Sequence, residues 1–190
     1  MNNIICVTGM PGSGKSVISD YFVDKGCKFV RFGQITMDEL KKKKLKINEK
    51  NERIIREDVR KKHGMAAFAI LNYPKFKKLL KTDHVIADGL YSWEEYKYLK
   101  EKFKDQMVVI AIYAPPKMRH LRLSTRKAFK KDTDLRNRSI TIKEAKTRDY
   151  AEIEKLNKGG TIAMADHTLV NTKSKAYFLK QVAQLYKEIL

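Results

Sequence analysis

One run near the N-terminus constrains the fold more than any other. Gly9-Met10-Pro11-Gly12-Ser13-Gly14-Lys15-Ser16 satisfies the pattern G-x-x-x-x-G-K-[ST] in full. An apolar, β-branched stretch, Ile4-Ile5-Cys6-Val7-Thr8, precedes it, and Val17, Ile18, Tyr21 and Phe22 follow at helical spacing. Strand, glycine loop and helix in that order make a cradle for a nucleotide polyphosphate. Gly9, Gly12, Ser13 and Gly14 let backbone N–H groups converge on phosphate oxygens, and the helix N-terminus adds a favourable dipole. Lys15 is placed to reach the β- and γ-phosphates as a catalytic cation, and the Ser16 hydroxyl to ligate Mg²⁺.

Beyond that loop, apolar strand-like runs alternate with helical stretches, which predicts an α/β fold with a parallel sheet. Strands are expected over 4–8, 28–32, 84–87, 107–113 and 168–170. Helices are expected over 15–24, 37–46, 49–62, 66–80, 93–103, 116–130, 140–156 and 174–189. Pro115-Pro116 suits a helix start, and Pro74 is expected to kink or split the fourth helix. The polar run 132–139 reads as a mobile loop. A chain of 190 residues fits one domain, and two stretches, 34–80 and 115–160, are too long for plain crossovers. Inserts at the carboxyl edge of such a sheet commonly carry acceptor-binding and lid elements. The core is then expected over 1–33, 81–114 and 161–190.

Asp83-His84-Val85-Ile86-Ala87-Asp88-Gly89 is an apolar strand ending in a carboxylate. Beside an intact phosphate loop, Asp88 is the candidate acid for the Mg²⁺ shell, facing the substrate side. The arginines supply the other candidates. Between Lys117 and Arg148 the chain has twelve Lys or Arg against three acids. Arg119, Arg122 and Arg126 share one helix face, with Arg136, Arg138 and Arg148 beyond. Arginines brought in by a lid stabilise the charge of a transferring phosphoryl group, and Arg126 and Arg148 are the candidates for that role. A solvated basic helix, above all at Arg119, is the alternative. Arg53, Arg56 and Arg60 share another face beside Ile55 and Val59, where they suit an acceptor's phosphate or simply pair with Glu52 and Glu57.

The net charge of +19 attracts polyanions, and RNA stays open as a partner alongside a solvated lysine surface. Lys41–Lys44 is the candidate patch, although no aromatic residue interleaves it. Two cysteines, Cys6 and Cys27, suggest neither a disulfide framework nor a zinc site. No apolar run reaches the length of a membrane span. The chain enters its first strand at once, so no signal peptide and a cytoplasmic location are expected.

These residues together resemble the nucleoside-monophosphate-kinase clan of phosphate-loop proteins, and within it the adenylate-kinase-related, dephospho-CoA-kinase-like proteins of archaea. The likeness runs nearly end to end. It rests on Val7–Ser16, on Ala87-Asp88-Gly89-Leu90 with Ser92, and on Ile112-Tyr113-Ala114-Pro115-Pro116-Lys117. Arg122-Leu123 with Arg126, Arg148-Asp149, and Ala165-Asp166-His167-Thr168-Leu169-Val170-Asn171 complete it.

The resemblance implies a three-layer α/β/α fold with a five-stranded parallel sheet in the order 2-3-1-4-5, and ATP with Mg²⁺ as cofactors. It implies that Arg122 stacks on adenine, that Arg126 touches phosphates, that Arg148 is the arginine on the far side of the lid, and that Asn171 meets the adenine edge. The chain departs from the family's pattern at Tyr91 and Met37, where arginines are expected, and at Gln34, where a carboxylate is expected. Arg60, with Arg56, is then the best acceptor arginine.

A hydroxyl acceptor needs a general base, and the first acid after the second strand is Asp38. A phosphate acceptor is already ionised. The expected activity is therefore transfer of the ATP γ-phosphate to a nucleoside or deoxynucleoside monophosphate. Dephospho-CoA-type hydroxyl phosphorylation and an RNA- or ribosome-associated ATPase are the alternatives.

Overall fold

The computed structural model describes residues 1–126 and 139–190. Five strands, β1 (Ile4–Thr8), β2 (Lys28–Arg31), β3 (Val85–Asp88), β4 (Met107–Tyr113) and β5 (His167–Val170), form one sheet in the order β2-β3-β1-β4-β5. Every pairing is parallel, with Ile4 opposite both Val85 and Met107 and Arg31 opposite Asp88. The expected sheet order is the observed one.

Period-two alternation divides the core between two faces. Ile4, Cys6, Val85, Ala87, Met107 and Val109 pack on one side with α2 (Gln34–Lys42), α3 (Glu49–His63), α4 (Ala67–Leu79) and α5 (Trp93–Phe103). Ile5, Val7, Ile86, Ile110 and Ile112 pack on the other, against α1 (Lys15–Asp24) and α9 (Lys175–Ile189). Phe178, Val182 and Leu185 give α9 one buried stripe, and Ile18 and Phe22 give α1 its own. Each such side chain contributes about 1.5–3 kcal/mol by leaving water. A short 3₁₀ turn, Lys104–Gln106, leads into β4.

Between β4 and β5 lie α6 (Pro116–Ser124), α7 (Ile142–Glu154) and α8 (Lys158–Ala163). Expectation and structure differ in several places. Helix α2 starts at Gln34 rather than 37 and stops at Lys42 rather than 46. Helix α6 stops at Ser124, with Thr125 as its C-cap and Arg126 already outside it; positions 127–130 of the expected helix lie outside the described residues, as does most of the 132–139 run. Pro74 does not split α4. It is exposed, and the i−4 carbonyl that it cannot bond belongs to Ile70, which is also exposed, so that this turn faces solvent. Among the described residues no helix is long and apolar enough to cross a membrane.

Candidate functional site

The loop between β1 and α1 lies at the carboxyl edge of the sheet, where β3 also ends. Its backbone conformation demands glycine at two places where other parts of the chain press against it. Gly12 has φ +79° and a Cβ there would meet the Arg119 carbonyl; Gly14 has φ +110° and a Cβ would collide with Asn171 Nδ2. Asn171, buried after β5, donates from Nδ2 to the Ser13 carbonyl at 2.8 Å, and Arg122 Nη2 donates to the Asn171 carbonyl at 3.0 Å. These two residues therefore brace the loop from behind, and neither lines the cleft in front of it. Ser13 Oγ is buried and has no hydrogen-bond partner among the described residues.

Lys15 turns back on its own loop, with Nζ donating to the carbonyls of Gly9 at 2.8 Å and Met10 at 3.2 Å. Burial first, and then repulsion from Lys158, pull its pKa down to about 7. The cleft that Lys15 enters is also lined by Ser16, Arg31, Arg56, Arg60, Asp88, Arg126 and Arg148. The structure thus brings together Lys15, Ser16, Asp88, Arg56, Arg60, Arg126 and Arg148 from five separate segments. Arg136 and Arg138 fall outside the described residues.

Ser16 and Asp88 fit a Mg²⁺ site of the sparse kind, with one hydroxyl, one carboxylate and the rest left to phosphates and water. Among the described residues no cluster of three or more His, Cys, Asp or Glu could hold a metal alone.

The arginines differ in how they are held. Arg119 is not on a solvated face: it is buried, donating from Nη1 and Nη2 to Asp149 at 2.8 Å and from Nη1 to the Pro11 carbonyl at 3.0 Å. Arg53 is exposed and paired with Glu57 at 3.0 Å, as its surface reading expects. Arg56 is held by Glu49 at 2.6 Å and Glu52 at 3.3 Å. Arg148 lies 3.0 Å from Glu152 and 3.6 Å from Glu49. Burial opposes its charge, but those two carboxylates outweigh it and raise its pKa. Arg60 differs: its side chain is nine-tenths buried over the Phe68 ring, and among the described residues Nε and Nη2 have no hydrogen-bond acceptor. Glu95 Oε1 stands 4.0 Å from Arg60 Nη2. Burial pushes the Glu95 carboxyl up to about 7, against the pull of Arg60.

Three further residues carry charge here that the sequence pattern did not single out. Arg31, at the end of β2, lines the cleft opposite Asp88. With Arg60 it brings positive charge to the side where Tyr91 stands in place of an arginine. Lys158 is fully buried, with Nζ 2.5 Å from Glu152 and 4.7 Å from the Tyr91 ring centroid. Burial works to raise the Glu152 pKa, yet Lys158, Arg148 and Lys15 together hold it at about 2. Met37 is a core residue. Asp38 is exposed on α2, accepts from Gln34 Nε2 at 3.0 Å and does not line the cleft.

The profile of a family described as an AAA domain matches residues 5–169. The UPF0200 protein of Thermococcus gammatolerans is 34% identical over 189 residues, covering 98% of this chain and 95% of that one. The chain belongs to the AAA-domain family, among the UPF0200 proteins. Its fold is that of phosphate-loop kinases. The shikimate kinase of Bacteroides thetaiotaomicron superposes with a TM-score of 0.60 at 13% identity, with 98% of each chain covered. The dephospho-CoA kinase from Campylobacter jejuni gives 0.53 at 18%, with 99% of this chain and 97% of that one covered. At these identities the likeness is one of fold alone.

Proposed function

We propose that this UPF0200 protein is an ATP-dependent phosphotransferase whose acceptor is itself a phosphate, with nucleoside and deoxynucleoside monophosphates as the acceptor class. The observation that carries the reading is Arg60. A buried guanidinium with Nε and Nη2 unsatisfied, in the same cleft as Lys15, is costly until an anion supplies the missing acceptors.

In this reading the amides of Gly12 to Lys15 take the triphosphate, with Gly9 and Ser13 shaping the turn. Lys15 exchanges the Gly9 and Met10 carbonyls for phosphate oxygens. Ser16 and Asp88 hold Mg²⁺, which neutralises charge on the phosphates when bound. Arg126 and Arg148 flank the transferring group and stabilise the charge spread over its oxygens. Arg60 and Arg56 orient the acceptor phosphate. Arg122 and Asn171, expected at the adenine, serve in this reading to hold the Ser13 end of the loop. The acceptor oxygen carries its negative charge already, so no side chain has to remove a proton.

A hydroxyl acceptor is the second reading, as in a dephospho-CoA kinase. Its first candidate base, Asp38, is exposed and does not line the cleft. The carboxylates that do are Asp88, assigned here to Mg²⁺, Glu52, paired with Arg56, and Glu152, paired with Arg148 and Lys158. An RNA-linked ATPase draws only on the +19 charge and the exposed Lys41–Lys44 end of α2.

A coupled ADP-release assay with each NMP and dNMP, dephospho-CoA and shikimate separates the three. The reading expects ADP formation that depends on a monophosphate and falls about a hundredfold or more in Arg60→Ala. Turnover with dephospho-CoA alone supports the second reading; turnover that needs RNA and no acceptor supports the third.

A further inference from the structure

Beside the phosphate cleft lies a second and much larger space. It has a volume of about 940 Å³, within the range of small-molecule sites. Helices α3 and α7 form its walls, and two ion pairs tie them, Glu49 to Arg148 at 3.6 Å and Glu57 to Lys155 at 3.9 Å. The chamber and the cleft share Arg56, Arg60, Tyr91, Arg148 and Glu152, so the two spaces adjoin across these side chains. Arg60, nine-tenths buried, with Glu95 at 4.0 Å and with two nitrogens that lack a hydrogen-bond acceptor among the described residues, lines both.

The chamber has a different chemistry. Its inner wall is apolar, built from Ile54, Met65, Ala151 and Leu156. Its rim carries Lys50, Lys61 and Lys143, all exposed and without an ion pair among the described residues. The acids of the chamber are otherwise engaged: Glu49 and Glu152 with arginines, Glu57 with Arg53, and Glu144 in the N-terminal cap of α7. An anionic junction site, an apolar wall and a basic rim in series match a molecule with charge at both ends and an organic body between.

We propose that this chamber is the distal half of the acceptor site and takes an elongated phosphate ester. One phosphate meets Arg60, the body lies on the Ile54–Met65–Leu156 wall, and a second anionic group reaches Lys50, Lys61 and Lys143. A nucleoside 5′-monophosphate fills only part of the space. The inference rests on the proposed phosphotransferase reading, which it sharpens by naming a doubly anionic acceptor class.

The test is calorimetric and needs no turnover. The full-length protein is titrated with the four nucleoside 5′-monophosphates and the four corresponding 3′,5′-bisphosphates, and separately with Mg·ATP. For at least one base the bisphosphate is expected to bind about tenfold tighter than the monophosphate, a gain in keeping with a few exposed ion pairs. That gain is expected to vanish in the triple variant Lys50→Gln, Lys61→Gln, Lys143→Gln. Ala151→Trp, which fills the chamber, is expected to weaken bisphosphate binding tenfold while ATP binding holds. If ATP binds but no bisphosphate outperforms its monophosphate, the chamber inference is overturned and the phosphotransferase reading stands. If ATP fails to bind as well, both fall.

Discussion

Asp149 on α7 grips Arg119 on α6 through both carboxylate oxygens at 2.8 Å, and the same guanidinium donates to the Pro11 carbonyl of the phosphate loop. His120 Nε2 adds a further contact to Asp149 at 2.8 Å. Helix α7, within the 115–160 insert, and the phosphate loop are thus joined through one buried ion pair. Removing one partner of such a pair strands the other charge away from water. Asp149→Ala is therefore expected to lower stability by about 3–5 kcal/mol, measured by urea unfolding. A loss below about 1 kcal/mol would show that Arg119 is satisfied without it.

The buried Glu152–Lys158 pair makes a pH-dependent contribution with a defined sign. Glu152 is held at about 2 in the folded chain, below its ordinary 4.5. Its contribution is fully present above 4.5 and is lost as the pH falls towards 2. Urea midpoints of wild type and Glu152→Gln are expected to differ at pH 6 and to draw together only as the pH approaches 2. Parallel curves over that range would contradict the depressed value. Lys158→Met is expected to destabilise, and adding Glu152→Leu to recover part of the loss.

Lys15 has a pKa of about 7 in the empty cleft. Phosphates of opposite charge raise it, so a fraction of the protein takes up a proton when ATP binds near pH 7.5. Titrations in buffers of different ionisation enthalpy are expected to give an uptake that disappears in Lys15→Met. Proton release, or an uptake unchanged by the substitution, would contradict this assignment.

Gly14→Ala is expected to abolish ATP binding while the chain still folds. The left-handed backbone and the Asn171 amide both refuse a Cβ at that position. Loosening the contact with Asn171→Ala is expected to restore part of the ATP affinity. Retained binding in Gly14→Ala alone would mean that the loop tolerates another shape.

Much of the architecture is legible in the residues because local and global signals agree. β1 and β4 are unbroken apolar runs, and α5 begins at Ser92 with Glu95 closing a capping box, so its bounds are written in the chain. Helix α2 is different. It starts behind Gly33, which offers no side-chain cap, and tertiary packing of Thr36, Met37 and Leu40 fixes its ends. Helix α8 hides because Lys158-Gly159-Gly160 reads as a break.

The site shows the same division. The loop, Asp88 and the arginine candidates follow from spacing. Arg31 does not, because an arginine closing a short strand looks like any edge charge. Lys158 does not either, since nothing in a single sequence separates a buried lysine from a surface one. Its burial depends on Glu152, six residues away and on a different helix.

The most direct test is ³¹P NMR of Mg·ATP incubated with the protein and a mixture of nucleoside monophosphates. The account predicts loss of the ATP γ-resonance and growth of diphosphate resonances from both ADP and the acceptor, with little inorganic phosphate and no change in Lys15→Met. Inorganic phosphate as the sole product, or an unaltered spectrum, would contradict it.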